Sequence, residues 1–82
     1  MQNFLKINPN DTVAVALKPL EAGTIINIDN NAIVLLEDIP QGHKFTLHSM
    51  KEGEKVIKYG SPIGILQKDA PAGTWIHTHN MK

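Results

Sequence analysis

An all-β domain of short strands, with at most one or two helical turns, is the fold this sequence predicts. The first observation behind that is β-branched, period-two patterning in runs of four to six residues, as in Thr12-Val-Ala-Val-Ala-Leu17. The second is negative: no window of useful length carries a 3.6-residue apolar period, and only Leu47 to Glu52 could close a helical turn. The third is a turn pattern that recurs four times, in Leu20-Glu-Ala-Gly23-Thr-Ile-Ile26, Ile39-Pro-Gln-Gly42-His-Lys-Phe45, Met50-Lys-Glu-Gly53-Glu-Lys-Val56 and Ala70-Pro-Ala-Gly73-Thr-Trp-Ile76. Each copy runs from an apolar residue through a turn to glycine and on to a second apolar residue. Glycine there supplies a left-handed residue where the chain reverses into a strand. The copies are unevenly spaced, which excludes a solenoid.

Taken in order, Phe4 to Ile7 is a short edge strand, and Asn8-Pro9-Asn10-Asp11 is turn chemistry. Thr12 to Leu17 places Val13, Val15 and Leu17 on one face and the small Ala14 and Ala16 on the other, the pattern of a central strand covered on both sides. Lys18 to Gly23 turns the chain into a strand over Thr24 to Ile28. Asp29-Asn30-Asn31 then makes a tight hairpin into Ala32 to Leu36, since Asn and Asp tolerate positive φ. Tyr59-Gly60-Ser61-Pro62 is another turn, and Gly64 in the following strand marks a bulge or a close backbone approach.

Composition narrows the function. Eighty-two residues make one small domain, residues 1–82, with a modest core. The formal net charge is zero, which argues against nucleic-acid binding and gives no reason to invoke a membrane surface. Without cysteine there is no disulfide, thiolate metal site or thiol nucleophile. Every basic residue is a lysine, so forked guanidinium recognition of a carboxylate is excluded. With no signal-like or bilayer-length apolar run, the expectation is a soluble, cytoplasmic chain.

The polar residues concentrate in Gly73-Thr74-Trp75-Ile76-His77-Thr78-His79-Asn80, which holds the only tryptophan and two of the four histidines. In a strand, Trp75, His77 and His79 share a face, and two such imidazoles can converge on one ion or anion. His43 and Lys44 follow a turn glycine and point to opposite faces of an extended chain. His48 belongs to no motif and is expected at the surface. Glu37-Asp38 and Glu52-Gly53-Glu54 are expected in solvated turns. Set against these roles is the plainer alternative of half-buried histidines on a partly wet strand and turn.

Gly42-His43-Lys44, the run Gly53-Glu54-Lys55-Val56-Ile57-Lys58-Tyr59-Gly60 with Ile63-Gly64, and Trp75-Ile76-His77-Thr78-His79-Asn80 resemble the SAF domain of the altronate and galactarate dehydratases. Asp11 to Leu17 is similar to that family's opening strand. The resemblance implies a β-clip fold. It also implies elimination of water from a sugar acid, such as D-altronate going to 2-keto-3-deoxy-D-gluconate, in a site completed by a large catalytic subunit. The chain is then a separately encoded small subunit or an excised domain, inactive alone. In that setting His43 and Lys44 are catalytic candidates, and Lys44 and Asn80 substrate-binding candidates, with Asn80 otherwise capping the last strand. His77 and His79 are candidate ligands of a divalent metal, Fe2+ or Mn2+, and a homo-oligomer is compatible with the same reading. A (2R)-sulfolactate sulfo-lyase small subunit, and a non-catalytic SAF binding module, are the alternatives.

Overall fold

The computed structural model describes residues 3–82, and they form eight short strands with no helix among them. These are β1 (Phe4–Leu5), β2 (Val13–Ala16), β3 (Ile25–Ile28), β4 (Asn31–Val34), β5 (Lys44–Thr46), β6 (Lys55–Lys58), β7 (Ser61–Ile65) and β8 (Trp75–Ile76). A four-stranded antiparallel sheet in the order β1-β2-β5-β8 is flanked by two hairpins, β3–β4 and β6–β7. The all-β expectation is borne out. The helical turn considered for Leu47 to Glu52 does not form: this stretch bends, bridges to Ala70 through Met50, and turns again.

Register divides the sheet into two faces, and each face carries a core. On one, Phe4 lies opposite Ala16, and Ala14, Phe45 and Trp75 line up across β2, β5 and β8. Hairpin β3–β4 covers that face with Ile26, Ile33 and Leu35. The opposite face carries Leu5, Val15, Lys44 and Ile76 in one row and Val13 in the next, covered by Val56 and Leu66 of hairpin β6–β7. Strand β2 is therefore central, as its pattern predicts, and its alanines let the first hairpin approach. Leu17 departs from the expectation. The strand stops at Ala16, opposite Phe4, the first residue of β1, and Leu17 lies outside and exposed.

The four turn copies form two equivalent halves. Leu20 pairs with Ile39 and Met50 pairs with Ala70, each through an isolated antiparallel bridge. The apolar residues that open and close all four copies are buried, and their glycines all adopt positive φ. Matching details recur: Asp38 Oδ1 accepts from Ala22 N–H and Asp69 Oδ1 from Glu52 N–H, both at 2.9 Å. Both hairpins turn through two left-handed residues, Asp29-Asn30 (φ 51° and 65°) and Tyr59-Gly60 (φ 56° and 76°). That is the mirror-image turn whose twist suits a two-residue hairpin. At Gly64 the ladder shifts register, and Met81 packs where a side chain would stand, so both readings of that glycine hold.

Asp11 ties the second hairpin to the sheet. Its buried carboxylate accepts from Gly60 N–H at 2.8 Å and Asn8 N–H at 3.1 Å. Burial alone raises this carboxyl, but donors from Gly60, Asn8, Tyr59 and Ile7 outweigh it and hold Asp11 below the usual aspartate value. Because the folded value is the lower one, Asp11 contributes stability above the unfolded value of about 3.9, and the contribution is lost as pH falls through the folded value. Asp11→Asn is expected to cost about 1.5–3 kcal/mol at pH 7, the worth of hydrogen bonds to a charged group. The gap from wild type should narrow at pH 3, read by urea unfolding at both pH values. An equal gap at the two would show that charge plays no part.

Candidate functional site

The ends of β5 and β8 bring the aromatic polar residues together. Lys44 lies opposite Ile76 and Phe45 opposite Trp75, so one further step along the same register sets His43 beside His77. Their ring centroids are 4.5 Å apart. Trp75, on the same face, stacks nearly parallel to His77 (centroids 6.2 Å, interplanar angle 11°). Its indole N–H donates to His43 Nδ1 at 3.1 Å. An indole nitrogen can only donate, so Nδ1 is the acceptor and the proton of a neutral His43 sits on Nε2.

The expectation that Trp75, His77 and His79 project from one continuous strand is corrected. The strand ends at Ile76, and residues 77–80 turn back, with Asn80 N–H and Met81 N–H both donating to His77 C=O. Asn80 causes this. It is 2% exposed; its amide N–H donates to Trp75 C=O at 2.8 Å and its amide oxygen accepts from His77 N–H at 3.0 Å. One side chain thus replaces the neighbouring strand that these backbone groups lack. His79 reaches the indole from the turn, with ring centroids 4.7 Å apart. His43 and His77 thus meet through strand register, and only His79 joins the tryptophan from the turn.

Lys44 occupies the opposite face of β5, flanked by Val15 and Ile76. Burial between these aliphatic neighbours, and then the charge of Lys58, hold its ammonium below the usual lysine value. No carboxylate pairs with Lys44 among the described residues. Desolvation first, then the neighbouring His43, Lys44 and His79, holds His77 below the usual histidine value, so its neutral form prevails at neutral pH. His48 is exposed, as expected.

Two imidazoles do not make a metal centre. Among the described residues no group of three His, Cys, Asp or Glu side chains is placed to hold an ion. His77 and His79 can contribute ligands only to a centre whose remaining ligands come from elsewhere.

Glu37 is the residue the sequence conceals. Patterning puts it with Asp38 in a solvated turn. The structure leaves it half-buried, its Oε2 accepting from Trp75 N–H at 3.0 Å, while Leu36 N–H donates to Gly73 C=O. The chain after β4 thus runs along the free edge of β8. No helix among the described residues is long and apolar enough to cross a membrane.

Comparison with known proteins gives this arrangement a context. Residues 2–82 match the family described as the altronate/galactarate dehydratase SAF domain. An altronate dehydratase of Escherichia coli (strain K12) is 44% identical over 79 residues, which is 96% of this chain and 16% of that protein. An altronate dehydratase of Bacillus subtilis (strain 168) is 39% identical over the full chain, again 16% of its own length. A (2R)-sulfolactate sulfo-lyase subunit alpha of Paracoccus pantotrophus is 43% identical over 60 residues, covering 71% of this chain and 90% of that protein. The chain therefore spans about a sixth of the dehydratases and nearly all of the sulfo-lyase subunit. A match over almost the whole sequence, on an all-β fold of eight short strands, shows that this chain belongs to the altronate/galactarate dehydratase SAF domain family.

Proposed function

We propose that this chain is the SAF component of a sugar-acid hydro-lyase, and that it completes a site whose larger part lies on another, larger polypeptide or polypeptide segment. The reaction is loss of water from D-altronate to give 2-keto-3-deoxy-D-gluconate. The observation that carries this reading is the indole-to-imidazole hydrogen bond beside His77, which sets the neutral tautomer of His43 and so supports a proton-donating role for it. Similarity to altronate dehydratases supplies the substrate.

Elimination requires removal of the proton next to the carboxylate, stabilisation of the enediolate, and protonation of the departing hydroxyl. His43 presents Nε2–H and acts as the donor, either to the enediolate oxygen or to the leaving hydroxyl. His77, neutral and desolvated, is suited to accept a proton. Lys44 stands on the other face of β5, but its charge is felt at His77. It offers an unpaired point charge to a substrate carboxylate reaching round that end of the sheet. Asn80 serves by holding the turn that presents His77 and His79. Were a divalent ion held by His77 and His79, its other ligands would come from the larger part, and it would stabilise the enediolate. The proton acceptor would then be a group of that part rather than His77. The product enol then tautomerises to the 2-keto acid.

The test is turnover of D-altronate by the chain with and without the larger polypeptide, in ferrous or manganous buffer. Turnover only in the combination supports the reading. Similarity over 90% of a sulfo-lyase subunit favours one second reading, expulsion of sulfite from sulfolactate. Sulfite release without altronate turnover would replace the first with the second. A chain that forms no complex and supports neither reaction is a binding module.

A further inference from the structure

The two halves of the fold provide an internal control for surface chemistry. In the first hairpin, Ile25 pairs with Val34, and Leu36 lies two residues further along the same outer face. These side chains are 62%, 49% and 55% exposed. Asn27 and Ala32, paired across the same face, complete it, so it carries no charge. In the second hairpin the matching pair is Lys55 with Ile65. Leu36 matches Gln67: Gly23 N–H donates to Leu35 C=O as Gly53 N–H does to Leu66 C=O, and the next N–H leaves the hairpin, to Gly73 C=O from Leu36 and to Asn80 C=O from Gln67. The architecture thus accepts lysine and glutamine at positions where the first hairpin exposes isoleucine and leucine. Folding does not demand the apolar residues, and exposed aliphatic side chains clustered on one face mark an interaction surface.

We infer that the outer face of the first hairpin, centred on Ile25, Val34 and Leu36, is the seat of the larger dehydratase polypeptide. This rests on the reading given under Proposed function. Two features favour that occupant. In the matching dehydratases about five-sixths of the length lies beyond this domain and is available to cover the face, and the face is continuous with the site. Leu36 donates to Gly73 C=O, and Glu37, the next residue, accepts from Trp75 N–H. A chain seated on Leu36 therefore stands one residue from the His43, Trp75 and His77 cluster, close enough to contribute the missing groups. The second hairpin also exposes Ile63 and Ile65, at 40% and 48%, but Lys55 and Gln67 interrupt that face with a charge and an amide.

The chain has no cysteine, which makes the test direct. Leu36→Cys and Gln67→Cys are introduced separately, and the chain replaces the residues it aligns with in the Bacillus subtilis altronate dehydratase. Maleimide labelling of each position is followed by peptide mass analysis, on soluble chimera with a cooperative thermal transition. Position 36 is expected to label about tenfold more slowly than position 67, since a buried site reacts only through local opening. Equal rates, or slower labelling at 67, would overturn the assignment. Protection at 36 without altronate turnover sinks the substrate and leaves the surface standing. Turnover with equal labelling does the reverse.

Discussion

Gly73→Ala is expected to remove about half of the stability of this domain, while Gly23→Ala, at the same φ of 87°, costs only the backbone strain. Both substitutions place an L side chain in the left-handed region, at about 1–2 kcal/mol. Around Gly23 there is open space, so that strain is the whole cost. At Gly73 an added Cβ would stand 2.3 Å from the carbonyl oxygen of Val34. That atom is backbone and cannot rotate aside, so the chain after β4 must lift away from β8. Adding a core-overpacking cost of about 1–3 kcal/mol gives about 2–5 kcal/mol for Gly73→Ala. A domain of this size has about 5–10 kcal/mol in total. Each kcal/mol moves the melting temperature by about 4–8 °C, so calorimetry separates the two variants easily. Equal melting temperatures would show that the close approach of Val34 is not what fixes Gly73.

His43→Ala in the assembled enzyme is expected to lower kcat by about 10²–10⁴-fold with little change in KM, the loss typical of a proton-transferring group. Trp75→Phe supplies the finer test. It keeps an aromatic ring beside His77 and removes the donor that occupies His43 Nδ1. With Nδ1 released, the neutral ring can place its proton on either nitrogen, and the fraction presenting Nε2–H falls. The expected result is a loss of about twofold in kcat with an altered pH profile, since two tautomers then share the population. A His43→Ala enzyme with full activity and an unchanged profile would mean that His43 only packs against the indole.

Much of the fold was legible because glycine and asparagine report backbone conformation directly. The four turn copies, the Asp29-Asn30 hairpin and the central β2 follow from residue types whose allowed φ leaves few choices. Leu17 and the Leu47–Glu52 stretch were misjudged because local pattern does not show where a partner strand ends. In the site, His43, Trp75 and His77 were picked out by rarity and motif, and register explains why they meet. Two things lay outside local reading. Asn80 ends the strand through its own side chain, which alternation ignores. Glu37 owes its place to the path of the chain beside β8, a tertiary fact with no local signature.

The sheet order β1-β2-β5-β8 also sets a timetable for the site. The two hairpins join neighbours in sequence and can form in about 1–10 μs. The sheet joins segments far apart along the chain, and such non-local pairings bring all-β domains to their folded state in about milliseconds to seconds. His43 arrives with β5, but Trp75 and His77 arrive only when β8 docks on its edge. Until then no indole fixes the His43 tautomer and no second imidazole stands beside it. The His43, Trp75 and His77 arrangement therefore exists only once β8 has docked, and an unfinished chain holding the first hairpin alone lacks it.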